Sequence, residues 1–231
     1  MKKLILILAA ALLGWTATSA QAADKAVYEG AKVCSKCHDL HGEAWQMTSH
    51  AKAFDLLKPG VRAEAKVKAK VDPNKDYTAE PGCLGCHTTG YGEAGGYDPA
   101  MPPAQAKALA NVGCESCHGA GSLFKKEHGD AEGRFKKDGA TTERKLLVAA
   151  GQNFDYEKAC NACHGVGAQK PGSPFNASVD PKYAFDFDKA VRATGKGKGV
   201  HDHYKLIGVF SGEPVHRLRA EFQKNAKEGA E

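Results

Sequence analysis

Cys34-Ser35-Lys36-Cys37-His38 decides how this chain is read, because its pattern returns three times: Cys83-Leu84-Gly85-Cys86-His87, Cys114-Glu115-Ser116-Cys117-His118 and Cys160-Asn161-Ala162-Cys163-His164. With eight cysteines and ten histidines in 231 residues, chance would supply roughly 0.01 such pentapeptides. Every cysteine is used and none is left over. Two thiols three positions apart can each add to one vinyl group of a haem, and the adjoining histidine can then ligate the iron from the proximal side. A thioredoxin-like pair does not need that histidine, and zinc knuckles do not demand it four times. The pattern therefore predicts four covalently bound c-type haems. Their attachment sites are Cys34, Cys37, Cys83, Cys86, Cys114, Cys117, Cys160 and Cys163, and their proximal iron ligands are His38, His87, His118 and His164.

The ends and the charge of the chain narrow its setting. Residues 1–22 read as a secretory signal, with Lys2 and Lys3 before an apolar run from Leu4 to Leu13 and a small-residue cleavage site at Ala20-Gln21-Ala22. The mature protein, 23–231, is then expected to be a single tetrahaem domain in the periplasm. No later stretch reaches the roughly 18 apolar residues a membrane helix needs. Formal net charge is +5, and part of it lies in the signal. Scattered lysines and so mild an excess argue against nucleic acid as a partner.

About 52 residues serve each haem, too few to build a protein core around each ring. The haems themselves are expected to form the core of a mainly α fold, with short helices and long loops wrapped on porphyrin faces. Leu40, Ala44, Met47, Ala51 and Phe54 recur at helical steps and predict one helix, ended by Pro59-Gly60. Further helices are predicted over 61–70, 104–110, 187–193 and 215–227, the last fraying into solvent. Another is predicted to start at a Thr142 cap and run to Ala150. The glycine- and lysine-rich segment 119–140 reads as an exposed loop carrying His128.

Six histidines remain for the distal sides of the irons: His41, His50, His128, His201, His203 and His216. Met47 and Met101 are the other ordinary candidates. His50 lies on the predicted apolar helix face. His201 and His203 flank Asp202 and are placed so that one alone suits an iron. His128 could equally be a surface residue, and His41 and His216 read as ordinary.

The segments Thr48-Ser49-His50-Ala51-Lys52-Ala53, Val112 to Gly119 and His201-Asp202-His203 to Phe210, together with the first haem motif, resemble the tetrahaem cytochrome c-554 family of ammonia-oxidising bacteria. The resemblance runs through essentially all of the mature chain. It implies a mainly helical periplasmic electron carrier with no catalytic side chains of its own. Its donor would be the octahaem hydroxylamine oxidoreductase, and its acceptor a membrane-anchored cytochrome or quinone reductase. It also implies iron ligation by His38 with His128, His118 with His201, and His164 with His50. The haem at His87 is left open on its distal side, beneath Pro174 and Phe175. The glycine-rich stretch 195–199 departs from the family pattern just before His201. The alternative reading is a haem enzyme that reduces nitric oxide at the open iron.

Overall fold

The computed structural model describes residues 25–165, 173–193 and 199–229. The predicted signal peptide lies outside them, as does most of the glycine-rich stretch 195–199. Short helices joined by long turns make up the fold: α1 (Ala31–Cys34), α2 (Asp39–Gln46), α3 (Ala63–Lys68), α4 (Pro81–His87), α5 (Pro103–Leu109) and α6 (Glu115–His118) come first. They are followed by α7 (Gly121–Asp138), α8 (Arg144–Ala149), α9 (Tyr156–His164), α10 (Phe187–Arg192) and α11 (Arg219–Asn225). Two-residue strands β1 (Thr142–Glu143) and β2 (Phe210–Ser211) pair in parallel, with Thr142 opposite Phe210.

Local chemistry sets most helix ends. Pro81 starts α4 at a position where its missing N–H is not needed. Asp155 caps α9 by accepting from the Lys158 N–H at 3.1 Å, and Asp186 caps α10 through Lys189. The helix predicted over 61–70 is shorter than expected because Arg62 and Lys70 both adopt left-handed backbone, φ 52° and 57°.

Four expectations are corrected. The helix expected from Leu40 to Phe54 stops at Gln46 and continues as 3₁₀ turns at His50–Lys52 and Phe54–Leu57. There the buried Thr48 hydroxyl donates back to the Trp45 carbonyl at 2.7 Å, a local bond that competes with the helix ladder. Met47 is left 40% exposed, off any apolar face. Segment 119–140 is not a loop: it forms α7, the longest described helix. Thr142 does not cap α8 but lies buried in β1, where its N–H donates to Val209 and its hydroxyl accepts from Arg134. The C-terminal stretch does not fray either. Lys227 donates its N–H to His203, accepts from Lys205 and pairs with Asp202.

Protein atoms alone supply a thin interior. Leu57, Leu84, Tyr97 and Leu109 form a buried cluster, with Phe54, Tyr77, Cys83 and Met101 packed around it. Elsewhere the buried apolar residues are scattered single positions such as Ala31, Phe124, Leu147 and Leu218. That distribution suits a fold whose remaining apolar contacts are made to macrocycles.

Candidate functional site

Each haem pentapeptide lies on or against a short helix, and the four segments touch in an order that differs from their order in the chain. The sulfur of Cys34 is within hydrogen-bonding reach of Cys114, and that of Cys117 within reach of Cys160. Cys163 Sγ lies 4.0 Å from the Gly85 carbonyl. In space, the first motif meets the third, the third meets the fourth, and the fourth meets the second. No cysteine is in a disulfide, and among the described residues no group of three or more His, Cys, Asp and Glu could hold a bare metal ion.

The histidines are arranged in facing pairs. Ring centroids of His38 and His128 are 6.4 Å apart, those of His118 and His201 6.5 Å, and those of His50 and His164 5.9 Å. Two imidazoles bound to one iron from opposite sides, each through a bond of about 2 Å, would bring their centroids to roughly 6.3 Å. The spacings therefore fit a metalloporphyrin between each pair. At His50, His118 and His201 burial favours the neutral ring, the form that ligates iron. His50, crowded also by His164, and His118, crowded by His41, His38 and His128, are each lowered to about 4, and His201 to about 3. His128, His164 and His87 are lowered too, chiefly by desolvation.

Second partners orient the rings. His87 Nδ1 donates to the Ala53 carbonyl at 2.6 Å and His201 Nδ1 to the Asp202 carbonyl at 2.7 Å, which leaves Nε2 of each for a metal. His128 is engaged at the opposite nitrogen, with Nε2 3.0 Å from Gln152 Oε1. His50 is held through its backbone, since its carbonyl accepts from Val112 N–H while the Val112 carbonyl accepts from the Trp45 indole.

The remaining histidines do other work. His203 stacks on Phe222 with centroids 4.0 Å apart and directs Nε2 at the Val191 carbonyl, 3.1 Å away. His216 packs against Tyr156 and Phe187, and its buried Nε2 has no hydrogen-bond partner among the described residues. His41 lies edge-on to His38, His201 and Tyr204. Phe175 meets Tyr183 edge-on at 5.8 Å. Its segment is tied to α3 by Asp180, which accepts from Lys68 Nζ at 3.0 Å.

Sequence reasoning missed Glu115. This 2% exposed carboxylate accepts from the N–H groups of Glu29, Gly30 and Gly121, so one side chain inside the third haem motif fixes the entering chain and the start of α7. The signal available was an acidic residue between the two cysteines, followed by Gly119 and Gly121.

The model of the family described as cytochrome c554 and c-prime matches residues 33–119. Cytochrome c-554 of Nitrosomonas europaea is 46% identical over 228 residues, covering 96% of this chain and 94% of that protein. The chain belongs to the cytochrome c-554 family. A solved structure titled as the reduced state of cytochrome c554 from the same organism superposes with a TM-score of 0.81. It shares 46% identity and covers 89% of this chain and 99% of that one. The protein is accordingly a multihaem c-type cytochrome with four covalently bound haems, a mainly helical fold and a role in electron transfer. Among the described residues no helix is long and apolar enough to cross a membrane.

Proposed function

We propose that this protein is a periplasmic carrier that accepts electrons released by hydroxylamine oxidation, from an octahaem hydroxylamine oxidoreductase, and passes them towards a membrane-anchored cytochrome or quinone reductase. The observation that carries the reading is the set of three facing imidazole pairs at 5.9–6.5 Å. An iron closed on both sides by imidazole has no position for substrate and is suited to taking up and releasing single electrons. His38 and His128, His118 and His201, and His164 and His50 are the ligand pairs of three haems in this reading. The fourth haem, on Cys83 and Cys86, has His87 alone. Pro174 and Phe175 would cover its distal side, as the family resemblance implies; their segment is tied to α3 by the Lys68–Asp180 bond.

Bound haem supplies one-electron iron chemistry; the chain supplies the rest. Neutral buried rings hold the ligand nitrogens deprotonated, and backbone carbonyls fix the tautomers of His87 and His201. The donor follows from the family resemblance, and the nitric-oxide alternative rests on the proposed open iron at His87 alone. Mixing oxidised protein with the oxidoreductase and hydroxylamine tests the proposal. Rapid reduction that slows or quickens with ionic strength is the expected outcome, because docking of charged surfaces is screened by salt. A protein that dithionite reduces but this donor leaves oxidised would overturn it.

A further inference from the structure

Lys66 is the buried lysine of the described structure, 4% exposed on the inner face of α3. Its ammonium donates to the Lys58 carbonyl at 2.7 Å and lies over the Tyr77 ring, 5.4 Å from the centroid. Among the described residues it has no carboxylate within ion-pairing distance. That is unusual, because a buried charge is costly to desolvate unless a counter-charge accompanies it. Tyr77 in turn packs on the buried cluster of Leu57, Leu84, Tyr97 and Leu109, to which the second haem motif contributes Leu84 and against which Cys83 also packs, so the ammonium and the motif share one cluster.

The other charges near this motif largely cancel. Glu80 and Lys75 form an exposed ion pair with each other at 3.1 Å. Asp76, exposed and held by Thr78, is the carboxylate that feels the charge of Lys66, weakly and without an ion-pair contact. A ferric haem that takes up one electron loses one positive charge. A nearby cation stabilises the reduced state relative to the oxidised one, most strongly where water is excluded and screening is weak.

We propose that Lys66 raises the reduction potential of the haem attached at Cys83 and Cys86, so that electrons reaching that end of the haem chain are held there. The proposal rests on the reading that a haem with His87 as its one imidazole occupies this motif. It predicts that a single lysine with no contact to the iron sets the order in which the four haems fill.

The test is a potentiometric titration of the four-haem protein, following each haem by its absorption and electron paramagnetic resonance signals. Lys66→Met should shift the midpoint of the high-spin haem to lower potential by more than that of any other haem, with its spin state unchanged. Lys66→Arg should restore the wild-type order. Lys66→Gln keeps a donor for the Lys58 carbonyl and removes only the charge, so it reports on charge even where Lys66→Met disturbs the fold. Replacing both members of the exposed ion pair together, Lys75→Met with Glu80→Gln, removes two opposite charges near the same motif and should have little effect. An unmoved high-spin midpoint in both neutral Lys66 variants would overturn the proposal, as would an equal shift of all four haems or an effect of the Lys75/Glu80 double replacement as large as that of Lys66→Met. Four low-spin haems in the unmodified protein would instead remove the reading on which it rests.

Discussion

His201 and His203 present the same side chain two positions apart, and their spacing alone leaves open which one faces an iron. Their surroundings differ. His201 faces His118 with planes 23° apart, while His203 is stacked on Phe222 and bonded to the Val191 carbonyl. Replacement of His201 by alanine should convert one low-spin haem to high-spin, whereas His203→Ala should leave all spin states unchanged and weaken the packing of α11; electron paramagnetic resonance distinguishes the two. The burial that suits these rings to iron also sets a pH dependence. His50, His118 and His201 sit at about 4, 4 and 3 in the folded chain, against about 6.5 in an unfolded one. Well above pH 6.5, near 7.5 and higher, both states are neutral and stability is at its full value. As pH falls from 6.5 towards 4 the unfolded state takes up protons that the folded state refuses, so stability is lost. Denaturant midpoints should therefore drop between pH 7.5 and 5, and more steeply than in variants lacking one of these imidazoles.

At the scale of elements, α7 shows why composition misled. Phe124, His128, Ala131 and Phe135 recur at helical steps, and Phe124 and Ala131 are buried, but Gly121, Gly129 and Gly133 together with the lysines gave the segment the look of a loop. Each interior glycine costs a helix about 1 kcal/mol relative to alanine, a penalty that tertiary packing of one face can override. A Cβ at Gly129 or Gly133 would meet nothing within 4 Å. Gly129→Ala and Gly133→Ala should each stabilise the protein by about 0.5–1 kcal/mol, read as a raised denaturant midpoint with an unchanged haem spectrum. Gly121→Ala is expected to do the opposite, because its Cβ would lie 2.8 Å from the Glu115 carboxylate that anchors the helix start. The short helices α5 and α10 were legible, since Pro103 and Asp186 mark their starts locally. The β1 pairing of Thr142 was not, because it depends on Val209, far away in sequence, and the break after Gln46 was not, because apolar spacing does not reveal the Thr48 hydroxyl's bond back to Trp45.

At the scale of the whole molecule, the number and attachment of the haems were legible because covalent chemistry writes them into five adjacent residues. Their spatial order was not, because contacts such as Cys34 with Cys114 and Cys163 with Gly85 span about 80 residues. That order makes the first and second motifs the two ends of a line, with the third and fourth between them. Electron tunnelling falls steeply with distance, so exchange between the ends should run through the haems at His118 and His164 rather than directly. Replacing His50, the proposed distal ligand of the haem at His164, alters the potential and the reorganisation at one internal step while leaving both ends ligated as before. In the His50→Ala protein, flash reduction of the exposed end at Cys37 should still be rapid, but onward equilibration with the haem proposed to be open at His87 should slow markedly. Replacing His128, the proposed distal ligand of the haem at His38, should change the first phase and leave the later one intact. Equal slowing of both phases by either substitution would mean that electrons reach the four haems independently, and the linear order would then have no kinetic consequence.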